Sequence, residues 1–176
     1  KAGARIGTPV FAPSLEVAEY FEKAHYKLMA SPRIFPGQQV YAGVSSADAN
    51  LYIAYYGDGD EPCYVDVDSP DDALNPSLHV PTVPGPIFEV GLRLNKDVSL
   101  QLDHVGWQGN PEVTFERPKH KGLMWKRAWV DAVDQLVGWS EMFRLVQNEG
   151  LGMISQGTRE WTNYVVSADV TPHLVS

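Results

Sequence analysis

Ile87-Phe88-Glu89-Val90-Gly91-Leu92-Arg93-Leu94, the turn Asn95-Lys96-Asp97, and Val98-Ser99-Leu100-Gln101-Leu102-Asp103-His104-Val105-Gly106-Trp107 form the stretch on which the fold turns. Apolar residues recur at nearly every second position in both halves. That is the period of a half-buried strand and not of a helix. Together the halves predict a pair of adjacent antiparallel strands, which would bring Glu89 and Asp103 toward each other.

Working toward the N-terminus, the same grammar repeats. Gln39-Val40-Tyr41-Ala42-Gly43-Val44 follows the turn pair Pro36-Gly37. Leu51-Tyr52-Ile53-Ala54-Tyr55-Tyr56 is closed by Gly57-Asp58-Gly59-Asp60, and Cys63-Tyr64-Val65-Asp66-Val67 alternates cleanly. Between Pro70 and Pro86 five prolines predict a long loop. Short strands at this spacing, separated by Gly, Pro and Asp, predict an all-β chain built as an antiparallel β-sandwich. Only the first segment reads otherwise. Ser14 is placed to cap, and Val17, Tyr20, Phe21, Ala24 and Leu28 share a face at helical spacing, so a short helix is expected over Ser14 to Lys23. Tyr26, Leu28 and Ala30 also alternate, and extended chain is expected there.

Toward the C-terminus, Gln108-Gly109-Asn110-Pro111 is the best boundary. The chain divides into 1–24 (a linker or short helix), 25–110 (a first β-sandwich) and 111–176 (part of a second). Leu123 to Val130 alternates, with Leu123, Trp125, Arg127 and Trp129 on one side, although Trp129, Val133, Leu136 and Val137 fit a helix equally well. Phe143 to Gln147, Leu151 to Gln156 and Tyr164 to Val170 read as further strands. The last is the densest strand signal in the chain. It is expected to pair with another chain or segment, or else to leave an apolar face uncovered.

Composition narrows the function. Hydrophobic residues make up 44% and charged residues 20%, the balance of a folded globular protein. A net charge of -8 argues against a nucleic-acid or anionic-membrane partner, since either would be repelled. No apolar run approaches the roughly 20 residues that span a bilayer. No basic-then-apolar leader opens the chain, and its start at Lys1 rather than Met predicts a processed or cut N-terminus; the compartment is not fixed by the sequence. Cys63 is the sole cysteine, so an internal disulfide and a cysteine-based zinc or redox site lack material. His25, His79, His104, His120 and His173 show no metal-binding spacing. No Gly-x-Ser-x-Gly elbow or phosphate loop occurs, and Pro76 blocks Asn75 as a glycosylation acceptor.

The strands Phe88 to Leu94 and Val98 to Trp107 resemble the last strands of galactose-binding-like jelly rolls, which carry an E-[VI]-G-[IL] strand and then a V-x-L-D-x-[LV]-x-W strand. The order continues through Met124 to Asp134, Gln147-Asn148-Glu149-Gly150 and Gln156-Gly157-Thr158-Arg159-Glu160-Trp161. Over 24–173 the chain resembles the non-catalytic C-terminal region of large ADP-ribosylglycohydrolase-family proteins. The resemblance implies a jelly roll followed by a concanavalin-like sandwich, with further strands completing the second. It also implies an upstream catalytic domain that holds Mg²⁺ with paired acidic and Thr/Ser motifs. No residue here matches those motifs, so the resemblance transfers no catalytic role. The expected function is a non-catalytic accessory region, carbohydrate-binding or structural, whose partners are a carbohydrate and the segments or chain completing the second sandwich. The alternative is a glycoside-bond hydrolase in its own right.

Sugar recognition needs an aromatic platform with directional polar groups beside it. Five Trp and eight Tyr supply the platform. Trp107, Trp125 and Trp129, on alternating strands, are read as core. Trp139 and Trp161 are the expected sugar-binding residues, with Arg159, Asn163 and Glu141 as hydroxyl partners and Arg127 beside them. The acidic stretch from Asp58 to Asp72 is read as a solvated turn, with no cofactor. Structural Ca²⁺ on Asp58, Asp60 and Asp66 is its weaker alternative. Hydrolysis would require two acids about 5–10 Å apart, for which Glu89 and Asp103 are the available pair. An acid on such a strand more often ties down a neighbour, and Arg93 is at hand.

Overall fold

In the computed structural model, which describes residues 1–11, 17–21, 24–28, 31–66, 73–116, 121–139 and 142–173 (backbone only for 17–28 and 139), the alternation becomes sheet. In chain order the strands are β1 (Arg5–Pro9), β2 (Val17–Phe21), β3 (Ala24–Leu28), β4 (Gln39–Val44), β5 (Ala49–Tyr56), β6 (Pro62–Asp66), β7 (Ser77–His79), β8 (Ile87–Leu94) and β9 (Leu102–Gln108). A helical turn, α1 (Met124–Arg127), follows, and then β10 (Val130–Ala132), β11 (Gln135–Trp139), β12 (Met142–Val146) and β13 (Met153–Ser155).

Two antiparallel sheets face each other, one ordered β1-β8-β5-β6 and the other β7-β4-β9. Their inward positions are those the period of two selects. Val40, Ala42 and Leu78 from one sheet meet Leu51, Ile53, Val90 and Leu92 from the other in a single buried cluster. Val105 and Trp107 pack against its side. Full burial of each large aliphatic chain is worth roughly 1.5–3 kcal/mol, so this cluster dominates the fold's stability. The chain is an all-β antiparallel sandwich.

The pairing corrects several expectations. β8 and β9 are not a hairpin: β8 is flanked by β1 and β5, while β9 pairs with β4 in the opposite sheet. Both edges of β8 are occupied, and the connection from Asn95 to Gln101 crosses between sheets. Alternation is preserved because both strands still face one core. β1, within the stretch read as a linker, is an edge strand in register with β8 from Arg5↔Arg93 to Pro9↔Glu89.

Val17 to Phe21, expected in a helix, is a strand paired with β3. β3 in turn meets β10 at Lys27↔Asp131, giving a sheet ordered β13-β10-β3-β2. A ladder with a non-local partner outweighs a weak helical period. The proline-rich stretch read as a loop contributes β7, which reaches β4 at Tyr41↔Ser77. Leu123 to Val130, read as a strand, instead begins with α1. Tyr164 to Val170 forms no strand, and Val165, Val166 and Val170 are 91%, 77% and 82% exposed. β-propensity expresses itself only against a partner, and among the described residues this segment has none.

On the outer face of the four-stranded sheet, Tyr52 lies fully buried between strands. Its hydroxyl donates to Glu89 Oε1 at 2.5 Å, and Arg5 covers the neighbouring Tyr64 ring at 3.9 Å. A Cβ at Gly7 would meet both the Tyr52 hydroxyl and the Glu89 carboxyl at 2.6 Å, so a glycine is what lets the pair close. Arg93, expected beside Glu89, instead pairs with Asp66 at 2.9 Å.

Burial first, then the bond to Glu89, pushes the Tyr52 hydroxyl well above the usual tyrosine range. An acid whose pKa is raised by folding contributes stability that is complete below its unfolded value, about 10, and lost as pH rises beyond it. Urea melts between about pH 7 and about pH 11 are expected to show a steep alkaline decline that Tyr52→Phe flattens. Parallel curves for the two proteins would remove Tyr52 as the source.

Candidate functional site

One concave feature of the described surface is a cleft of roughly 130 Å³ where the sandwich meets the segments after residue 112. Its lining draws on Pro32 and Ile34 to Pro36, and on Val83 to Ile87. The rest of the lining is Val113 to Glu116 with Trp125, Ala128, Trp129, Phe143 and Gln156.

Each wall is held by identifiable bonds. Gln38 is 6% exposed; its Oε1 accepts from Phe35 N at 2.9 Å and its Nε2 donates to Gly109 O at 3.1 Å. Its main chain receives Val80 N at 2.8 Å, while Gly37 N reaches Val80 O at 3.0 Å. Glu112 N closes onto Pro36 O at 2.8 Å. The far wall depends on α1, whose first amides are capped from across the chain. Asp60 Oδ2 accepts from Leu123 N at 2.6 Å and Oδ1 from Met124 N at 3.0 Å. With the end of the turn closed by Trp129 N to Lys126 O, Trp125 and Trp129 fall four residues apart on one side.

The rings form a connected set. Phe115 and Trp129 are 4.9 Å apart between centroids, Trp125 and Phe143 5.6 Å, and Trp129 and Phe143 6.0 Å. Tilted contacts of this kind fix ring orientation. Trp125, Trp129 and Phe143 are half-buried and Phe115 is 42% exposed, so ring surface remains available. Gln156 lines the same cleft, and its Oε1 is shielded and has no hydrogen-bond partner. A buried acceptor left in this state carries a desolvation cost of about 1–3 kcal/mol, which a donor entering the cleft would relieve.

The structure therefore redistributes the sequence-derived site. Trp125 and Trp129, read as strand core, line the cleft, together because of a helical turn and not because of alternation. Trp161 stands behind it, edge-on to Phe35 at 4.9 Å, with its Nε1 shielded and unpaired. Asn163, at a positive φ of 54°, and exposed Arg159 flank Trp161 but do not line the cleft. Beside them a hydrogen bond from Thr158 holds the Glu160 carboxyl below its ordinary range. Arg127 is exposed outside the cleft. Glu141 and the Trp139 side chain lie outside the described residues. Phe115, Phe143 and Gln156 went unnoticed in sequence because they lie on separate segments with no shared spacing.

Glu89 and Asp103 do not form a pair: they belong to different sheets, Glu89 bonded to Tyr52 and Asp103 beside His104 Nδ1 at 3.0 Å. The three acids weighed for Ca²⁺ are also separated in role. Asp60 caps α1, Asp66 binds Arg93, and Asp58 is exposed. Backbone amides around Gly59 hold Glu61 low, including one at 2.6 Å. Among the described residues no three His, Cys, Asp or Glu side chains converge as a metal site. No described helix is long and apolar enough to cross a membrane.

Comparison with protein-family models, curated proteins and solved structures finds no match to this chain.

The capping role makes a direct prediction. Asp60→Ala is expected to lower stability by about 1–2 kcal/mol, the usual worth of an N-terminal cap, while Asp58→Ala changes it by less than about 0.5 kcal/mol. Melting temperatures with Ca²⁺ or with a chelator should coincide. A rise in Tm on adding Ca²⁺ would restore the ion-binding reading.

Proposed function

We propose that this chain is a non-catalytic, carbohydrate-binding accessory region of an ADP-ribosylglycohydrolase-like protein, with the aromatic cleft as its sugar site. The fold reading that goes with it is a galactose-binding-like jelly roll followed by the first part of a concanavalin-like sandwich. The observation that carries the proposal is the unpartnered Gln156 Oε1 within a cleft of aromatic rings. A pyranose offers an apolar face to Trp125, Trp129 or Phe115 and hydroxyl donors to Gln156, with Glu116 and Thr114 at the mouth. Such a site binds through ring stacking plus a few fixed hydrogen bonds, and it requires no reacting group. The separation of Glu89 from Asp103 withdraws the acid pair on which the hydrolase alternative rested.

Titration of the chain with mono- and oligosaccharides is expected to give saturable binding without release of reducing ends. Trp129→Ala should weaken it at least about tenfold, equivalent to ~1.4 kcal/mol, and Gln156→Leu should do so while preserving cleft shape. Binding that survives both variants but fails in Trp161→Ala would relocate the site. Turnover of any glycoside would overturn the non-catalytic reading.

A second reading, interaction with another chain, is favoured by the exposed valines of 164–170. The partner proposed is a second copy, whose β13 has an outer edge unpaired among the described residues. Addition of a strand there would satisfy the backbone of 164–170 and cover Val165 or Val166. Light scattering is expected to show concentration-dependent dimers that Val166→Pro abolishes, since proline removes a ladder donor. A monomer at all concentrations would reject this association.

A further inference from the structure

The outer face of the β7-β4-β9 sheet carries an arrangement that the cleft does not use. The core takes Val40, Ala42 and Val44 from β4, which leaves Gln39, Tyr41 and Gly43 facing outward. Register sets Gln39 between His79 and Gln108, Tyr41 between Ser77 and Gly106, and Gly43 beside His104. The two glycines decide how the rings lie. A Cβ at Gly106 would fall 2.7 Å from the Tyr41 ring carbon Cζ, and one at Gly43 would fall 2.6 Å from His104 Cε1. Each ring thus extends over a glycine of the neighbouring strand, where any larger residue would push it away. The centroids are 5.8 Å apart. His104 is half-exposed, and its Nδ1 is tied to Asp103 Oδ2 at 3.0 Å. Along the next row Gln108 Nε2 donates to Gln39 Oε1 at 3.0 Å, placing amides beside the rings.

The geometry points to a second glycan-binding surface: Tyr41 and His104, laid over Gly106 and Gly43 and bordered by Gln39, Gln108 and Ser77, receive a neutral oligosaccharide chain across the sheet. The two rings stand edge-to-face at 62°, so each offers its own face and not a common plane; a ring held down against backbone supplies a stacking surface with little further ordering cost, and amides and hydroxyls supply directional bonds to sugar hydroxyls. The chemistry selects against other occupants. A polyanion would meet a chain of net charge -8. The face shares no residue with the cleft, so this inference goes beyond the cleft proposal and stands or falls separately.

Affinity electrophoresis through gels containing hydroxyethyl cellulose, xylan or galactomannan tests it. The chain is expected to be retarded by at least one of them. Tyr41→Ala and Gly106→Ala, the second lifting the ring off the sheet, should each reduce the affinity at least about tenfold. Tyr41→Phe should retain most of it, and Asp58→Ala, at an exposed residue outside both surfaces, should leave it unchanged. Thermal melts of the variants establish that each is folded. Absence of retardation by all three polysaccharides overturns the inference. Retardation that persists in folded Tyr41→Ala does so too, and its loss in Trp129→Ala alone would assign the binding to the cleft.

Discussion

One buried amide holds the cleft in shape. Gln38 joins three lengths of chain that are remote in sequence: its side chain bonds the segment at Phe35 and the carbonyl of Gly109, and its main chain pairs with Val80. Those three lengths run directly into the cleft walls. A net protein hydrogen bond contributes only about 1 kcal/mol, so Gln38 is not a major source of stability. Its importance is directional. A buried amide that must satisfy both ends tolerates few arrangements of its neighbours, and here the permitted arrangement brings Phe35 and Trp129 into the lining of one cleft. The sandwich core would survive other placements of 109–116; the cleft would not.

Asp60 performs the matching task on the far side. It sits at a positive φ of 67°, a backbone state in which aspartate is among the tolerated residues. From there its carboxylate reaches the exposed amides at the start of α1. A helical turn this short has little stability of its own, because nucleation costs more than one turn returns. The cap and the aromatic contacts of Trp125 and Trp129 supply the rest. What the sequence shows as an acidic turn and an ambiguous tryptophan pair is thus one device split between residues 60 and 129.

This division explains what could be read in advance. The strands of the sandwich were legible because alternation and a two-sided core select the same residues: Leu51, Ile53, Val90 and Leu92 are both periodic and buried. Pairing was not legible. The periodicity of β8 and β9 states that each has one apolar face, but not whether those faces lie side by side or across a core. The edge strand β1 was missed because Arg5, Ile6, Gly7, Thr8 and Pro9 bury almost nothing and so show no pattern. The helical expectation over Ser14 to Lys23 failed for Val17 to Phe21 because the deciding bonds come from β3, itself joined to β10 more than a hundred residues away. Of the site, Trp161 drew notice by its polar surroundings but stands outside the cleft lining, whereas Phe115 and Phe143 acquire a role only when α1 brings the tryptophans between them.

The two aromatic surfaces differ in how their rings are restrained, and that difference bears on what each can hold. In the cleft, rings restrain one another by tilted contacts, leaving a recess with an unmet acceptor at Gln156. A recess of roughly 130 Å³ is on the scale of a single ring and not of a chain of them. On the β7-β4-β9 face, the restraint comes from glycines beneath the rings, so the surface is open along the strands. An open face has no means of rejecting a longer chain and gains contact from each added unit. A protein with both would read the end of one glycan and the length of another, and joining weak sites in this way multiplies affinity through effective concentration when one chain spans them. The backbone requirement behind this is modest: two glycines on neighbouring strands of one sheet, each opposite a ring, and one glutamine buried between three lengths of chain.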